Sequence, residues 1–143
     1  MDEVVIGSAD ACVVLSRMTA VDAEGWRRYR VTLQGSGLTA SRVVSDYVRP
    51  EPEAFADGAT GLERLFRETA DEYRGWDGAK EWESMEAQFR VSATSDRTGH
   101  ATLEMKLFEK VGGWGWDARI AVVLDVVERD RVAKALRSFF RPL

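Results

Sequence analysis

Ser84-Met85-Glu86-Ala87-Gln88-Phe89-Arg90-Val91-Ser92-Ala93 places Met85, Ala87, Phe89, Val91 and Ala93 on one parity and Ser84, Glu86, Gln88, Arg90 and Ser92 on the other. Successive side chains of a strand point to opposite faces, so this alternation predicts a half-buried strand over Glu81 to Ala93. Ser95-Asp96-Arg97-Thr98-Gly99 then supplies a hairpin loop, and Ala101, Leu103, Met105 and Leu107 repeat the inward pattern against Thr102, Glu104, Lys106 and Phe108. After Gly112-Gly113, the residues Trp114, Trp116, Ala118, Ile120, Val122 and Leu124 share a face, which completes a predicted three-stranded antiparallel meander.

Upstream of the meander, Thr60 and Glu63 have capping-box spacing, and Leu62, Leu65, Phe66, Ala70 and Tyr73 follow at helical intervals until Gly75. Downstream, Asp125 and Glu128 repeat the capping spacing before Val132, Ala135, Leu136 and Phe139, with Pro142 as the stop. Four shorter segments precede residue 50: Val4 to Gly7, Cys12 to Met18, Trp26 to Leu33 and Leu38 to Val48. The glycines of Gln34-Gly35-Ser36-Gly37 suit a hairpin, and Tyr29, Val31 and Leu33 oppose a mixed face of Trp26, Arg28, Arg30 and Thr32. Arg49-Pro50-Glu51-Pro52-Glu53 interrupts strand pairing, because proline lacks the ladder donor. The predicted order is ββββ-α-βββ-α, an α+β fold of mostly antiparallel sheet with both helices packed on one face. No repeat or linker divides residues 1–143, which are read as a single domain.

Composition narrows function by exclusion. The chain has 143 residues, 45% hydrophobic and 31% charged, enough to build a core without a disulfide or a metal. A net charge of -4 offers no basic surplus for a polyanion, so nucleic acid is not an expected partner. Trp26-Arg27-Arg28-Tyr29-Arg30 interleaves aromatic and basic residues, but Arg27 falls on the face opposite Arg28 and Arg30. The acidic start, Met1-Asp2-Glu3-Val4-Val5, lacks secretory character, and no apolar run approaches the roughly 20 residues of a membrane span. A soluble cytoplasmic protein without membrane association is expected.

One cysteine, Cys12, and one histidine, His100, cannot assemble the usual four-ligand zinc site, and no phosphate-binding glycine loop, HExxH or GxSxG occurs. His100 stands beside Gly99 at a strand start with no nucleophile paired to it by spacing, and Cys12 lies in an apolar run. The expectation is a non-enzymatic protein with no cofactor, no metal and no catalytic residue.

Binding chemistry is more plentiful. Between Asp71 and Glu86, six acids face two bases, while the segment from Glu128 onward, Arg129 included, is basic. Trp82 is in phase with Ser84 and Glu86, away from Met85 and Phe89, and so is the surface candidate among the tryptophans. Asp77, Trp82, Glu83 and Glu86 are therefore the predicted partner-binding residues, suited to a basic protein. Trp114 and Trp116 share the face of Ile120 and Val122, which favours core packing; their alternative role is a platform for a small ligand or carbohydrate.

The stretch from Trp76-Asp77-Gly78 through Trp82, Ser84-Met85-Glu86, Gly99-His100 and the tryptophan-led strand to the closing helix resembles an uncharacterised family of small actinobacterial proteins. It is also similar to immunity proteins that neutralise polymorphic toxins. The resemblance covers roughly the last 80 residues and implies a cytoplasmic, non-enzymatic protein that acts by binding, its partner a basic toxin domain.

Overall fold

A computed structural model describes residues 3–47 and 61–140. Residues 3–47 form two hairpins. β1 (Glu3–Gly7), β2 (Ala11–Ser16), β3 (Trp26–Gly35) and β4 (Leu38–Tyr47) pair in sequence order as one antiparallel sheet. β3 and β4 keep strict register from Trp26↔Tyr47 to Gly35↔Leu38, as the Gly-rich turn predicts. Along β3 the alternation is realised: Tyr29, Val31 and Leu33 are buried, whereas Trp26, Arg30 and Thr32 are only partly covered. The Arg49 to Glu53 connector, Thr60 and Pro142 lie outside the described residues.

The second half differs from the expected meander by one strand. β5 (Ala79–Glu83), β6 (Phe89–Ser95), β7 (His100–Val111) and β8 (Trp114–Asp125) form a second four-stranded antiparallel sheet, so the observed order is ββββ-α-ββββ-α, still α+β. The run from Glu81 to Ala93 is a hairpin, not one strand, and Ser84 is the cause. Its hydroxyl accepts hydrogen bonds from the Gln88 and Phe89 amides at 3.0 and 3.1 Å, and its carbonyl accepts from the Ala87 amide at 2.9 Å. A side-chain oxygen that satisfies local amides competes with the ladder and turns the chain. Ala87 takes φ of +58° within the turn, and Met85, expected to face inward, is 66% exposed.

α1 (Gly61–Asp71) buries Leu62, Leu65 and Phe66 and packs beside β5; α2 (Val126–Phe140) buries Val132, Leu136, Phe139 and Phe140 and packs on β1 and β8. Tyr73, expected in the α1 stripe, lies beyond the helix and is exposed. The helices also pack on each other, and one apolar cluster joins their buried faces to the inner faces of both sheets. β8 runs against β1, β2 and β3. At this crossing a Cβ on Gly7 would stand 3.0 Å from Val122 Cγ1, and Gly7 has φ of +118°, so two constraints demand glycine there.

Two buried arginines close the helix ends. Arg129, 1% exposed, directs its guanidinium to the carbonyls of Thr69 (3.2 Å), Gly99 (3.3 Å) and Asp125 (3.3 Å). It thereby ties the end of α1 to the β6–β7 turn and the start of α2. Arg27 donates to the Phe140 carbonyl at 2.6 Å, sits 4.9 Å from that ring's centre and pairs with Asp46 at 3.1 Å. Cations belong at helix C-termini, where carbonyls lack amide partners. Arg129 is thus part of the interior, not of the basic surface its sequence neighbours suggested.

Candidate functional site

β5 fixes where the four predicted partner-binding residues fall. Glu83 ends that strand, Glu86 sits in the following turn, and Asp77 precedes the strand at its opposite end. The structure thus groups Glu83 with Glu86 and leaves Asp77 apart. Neighbouring cations also blunt the acidity. Glu83 pairs with Arg90 at 3.0 Å, Asp77 pairs with Arg97, and Lys80 bridges Glu72 and Glu68.

Trp82 faces the side opposite to the one its sequence phase predicts. The Ser84 turn shifts the strand phase, so Trp82 lies on the same side as Val91 and Phe89 rather than opposite them. Its ring meets Phe89 edge-on with centroids 5.7 Å apart, and a Cβ on Gly61 would come within 2.6 Å of its indole. Trp82 is half-buried and packs against the core.

Trp114 departs from expectation in the other direction. β7 and β8 run on past Phe89↔Leu107, where β6 begins, and continue as a two-stranded ribbon to Val111↔Trp114. The inward pattern of Trp114 and Trp116 extends beyond the region that either helix covers. Trp114 is 59% exposed and its cross-strand neighbour Val111 48%, while half-buried Trp116 donates its indole N–H to Glu109 at 3.0 Å. Gly115 is required in this ribbon, because an added Cβ would stand 2.5 Å from the Glu109 carbonyl oxygen and 3.2 Å from Lys110 Cα. A hollow of about 380 Å³ at the ribbon end is lined by Phe108, Lys110, Trp114, Gly115, Trp116 and Asp117, among others.

A larger hollow, about 660 Å³, lies against the second sheet and is lined by Glu81, Trp82, Glu83, Arg90, Glu104 and Lys106, among others. Register makes Glu83, Arg90, Lys106 and Arg119 one row across β5 to β8, with Glu81, Ser92, Glu104 and Ala121 in the next. Arg90 Cζ and Lys106 Nζ each lie 4.7 Å from the centre of the Phe108 ring. Periodicity assigns Arg90, Lys106 and Phe108 to the outward face, but only register shows that Arg90 and Lys106 are neighbours.

His100 opens β7 half-exposed, its Nδ1 3.3 Å from Asp96 Oδ2. The Asp96 carboxylate accepts from the Thr98 and His100 amides at 2.7 and 3.1 Å, and these bonds hold its pKa at about 2. Cys12 belongs to the other sheet, where its thiol lies 3.6 Å from Gln34 Oε1. Among the described residues, no three His, Cys, Asp or Glu side chains converge as a metal-binding set, and no helix is long and apolar enough to cross a membrane.

No curated protein matches the sequence. A family model, in contrast, matches nearly its whole length, and the chain belongs to the family of unknown function DUF6228 over residues 5–143.

Proposed function

We propose that this chain is a non-enzymatic protein-interaction domain whose contact surface centres on the β7–β8 ribbon and extends to the β5–β6 hairpin. One observation carries the reading: an exposed tryptophan, Trp114, stands beside exposed Val111 at the end of a hydrogen-bonded two-stranded ribbon. A large aromatic held in the open on regular structure has little ordering entropy left to lose, and tryptophan is enriched at the energetic centres of interfaces. Glu83 and Glu86 form a polar flank at the ribbon end of β5, with Trp82 as a packing residue behind them and Asp77 apart at the far end of the strand. An immunity-type inhibitor acting on a basic toxin domain is the specific form of this reading. Its support is the resemblance together with the net charge of -4. Cytoplasmic location and actinobacterial origin belong to the same reading.

Affinity capture followed by titration of the purified captured protein tests this. The expected result is a saturable complex that Trp114→Ser weakens at least tenfold and Glu83→Lys weakens less. A complex indifferent to both substitutions, or no direct binding by any captured protein, overturns it.

A second reading, a small-ligand or carbohydrate site using Trp114 and Trp116, draws support from the 380 Å³ hollow. Sugars stack on exposed indoles, so tryptophan fluorescence should respond to one member of a sugar and metabolite panel and lose that response in Trp114→Ser. A flat response across the panel eliminates it.

A further inference from the structure

On the outward face of the second sheet, Arg90 on β6, Lys106 on β7 and Arg119 on β8 are direct cross-strand neighbours. Like charges placed opposite each other on adjacent strands repel. Two of the three have internal relief: Arg90 pairs with Glu83 at 3.0 Å, and Arg119 reaches Glu104 at 3.4 Å. Lys106 has no ion-pair partner among the described residues. It is half-buried, with its ammonium over the Phe108 ring, which Arg90 also approaches.

A ring quadrupole stabilises a cation but does not neutralise it. The arrangement thus leaves one half-covered ammonium and an adjacent guanidinium at the wall of a 660 Å³ hollow. Glu83 and Glu104 line the same hollow, but each is turned to an arginine. Glu81 stands on β5, two strands from Lys106 and one row away.

We infer that this hollow binds an oxyanionic group, a phosphate or a carboxylate, between Arg90 and Lys106 above Phe108. The guanidinium supplies paired planar donors and the ammonium a point charge, a combination suited to two oxygens of one anion. The anion supplies the counter-charge that Lys106 lacks, while Arg90 and Arg119 keep their pairings with Glu83 and Glu104.

The test is a two-dimensional amide and side-chain NMR titration at constant ionic strength. Inorganic phosphate is added in one arm, succinate in a second, and sodium chloride alone in a third. Saturable shifts at Arg90, Ser92, Lys106 and Phe108 are expected in at least one of the first two arms, and the responding arm identifies the anion class. Lys106→Gln should weaken binding about tenfold, Arg90→Gln similarly, and Lys106→Arg should restore most of it. The unperturbed remainder of each spectrum verifies folding. Shifts that fail to saturate, that chloride reproduces, or that persist unchanged in Lys106→Gln overturn the inference.

Discussion

Replacing Arg129 with Met keeps the apolar stem and removes the charged fork. Thr69, Gly99 and Asp125 each lose a donor at 3.2–3.3 Å, while the 3.5 Å contact to Tyr73 counts for little. Hydrogen bonds from a charged donor contribute about 1.5–3 kcal/mol each, but they are not additive, and water can reach carbonyls at a helix end. Burial also penalises the guanidinium, lowering its pKa, although Asp96 and Asp125 oppose that shift. Removing this penalty offsets part of the loss. The expected net destabilisation is about 3 kcal/mol, a large share of the roughly 5–15 kcal/mol typical of a domain. At this chain length it corresponds to a melting temperature lower by about 6–12 °C. Guanidinium denaturation with linear extrapolation measures it. Arg129→Lys should fall between, because one ammonium cannot fork toward separate carbonyls. Arg131→Met, at an exposed neighbour, should stay within about 0.5 kcal/mol of wild type. If Arg129→Met matches Arg131→Met, the reasoning that makes Arg129 a tie between α1, α2 and the β6–β7 turn is wrong.

Ser84→Ala removes the acceptor for two amides of the β5–β6 turn and should cost about 1–2 kcal/mol by denaturant titration. An unchanged midpoint would mean that the turn forms without its hydroxyl. Asp96 has a folded pKa of about 2 against an ordinary 3.8, so its stabilisation is fully present above pH 3.8 and is lost as pH falls toward 2. Asp96→Asn should therefore be less stable than wild type at neutral pH, with the gap closing in acid; a gap that widens in acid contradicts this. Trp82→Ala should destabilise by about 2 kcal/mol because its ring packs on Phe89, whereas Trp114→Ser should shift stability by no more than about 0.5 kcal/mol. The reverse order in thermal melts would refute the exchange of roles between the two indoles.

Alternation in β3, β7 and β8 is legible in the sequence because each strand packs one face on the core and leaves the other to solvent. The Glu81 to Ala93 break is not legible, since Ser-Met-Glu-Ala-Gln contains no Gly, Pro or Asn and Ala87 itself adopts positive φ. That one missed turn inverts the phase of Trp82 and so misplaces it on the surface. Trp114 is misjudged for a different reason: periodicity says which side a residue faces, not whether anything stands opposite. Arg129 did carry a signal, as it precedes Val132 and Leu136 at three and seven positions on the buried stripe of α2. Arg27 likewise shares the parity of Tyr29 and Val31. A charge in an inward phase marks a buried cation in search of carbonyls or a carboxylate, and here it finds both. The cross-strand row of Arg90, Lys106 and Arg119 depends on register, which local sequence does not encode.

Hydrogen–deuterium exchange of the chain, alone and bound to its purified partner, tests docking through the β7–β8 ribbon most directly. Docking there should add protection over residues 108–117, with a smaller effect at 83–90. Protection confined to the first sheet, or none in the ribbon at saturating partner, contradicts it.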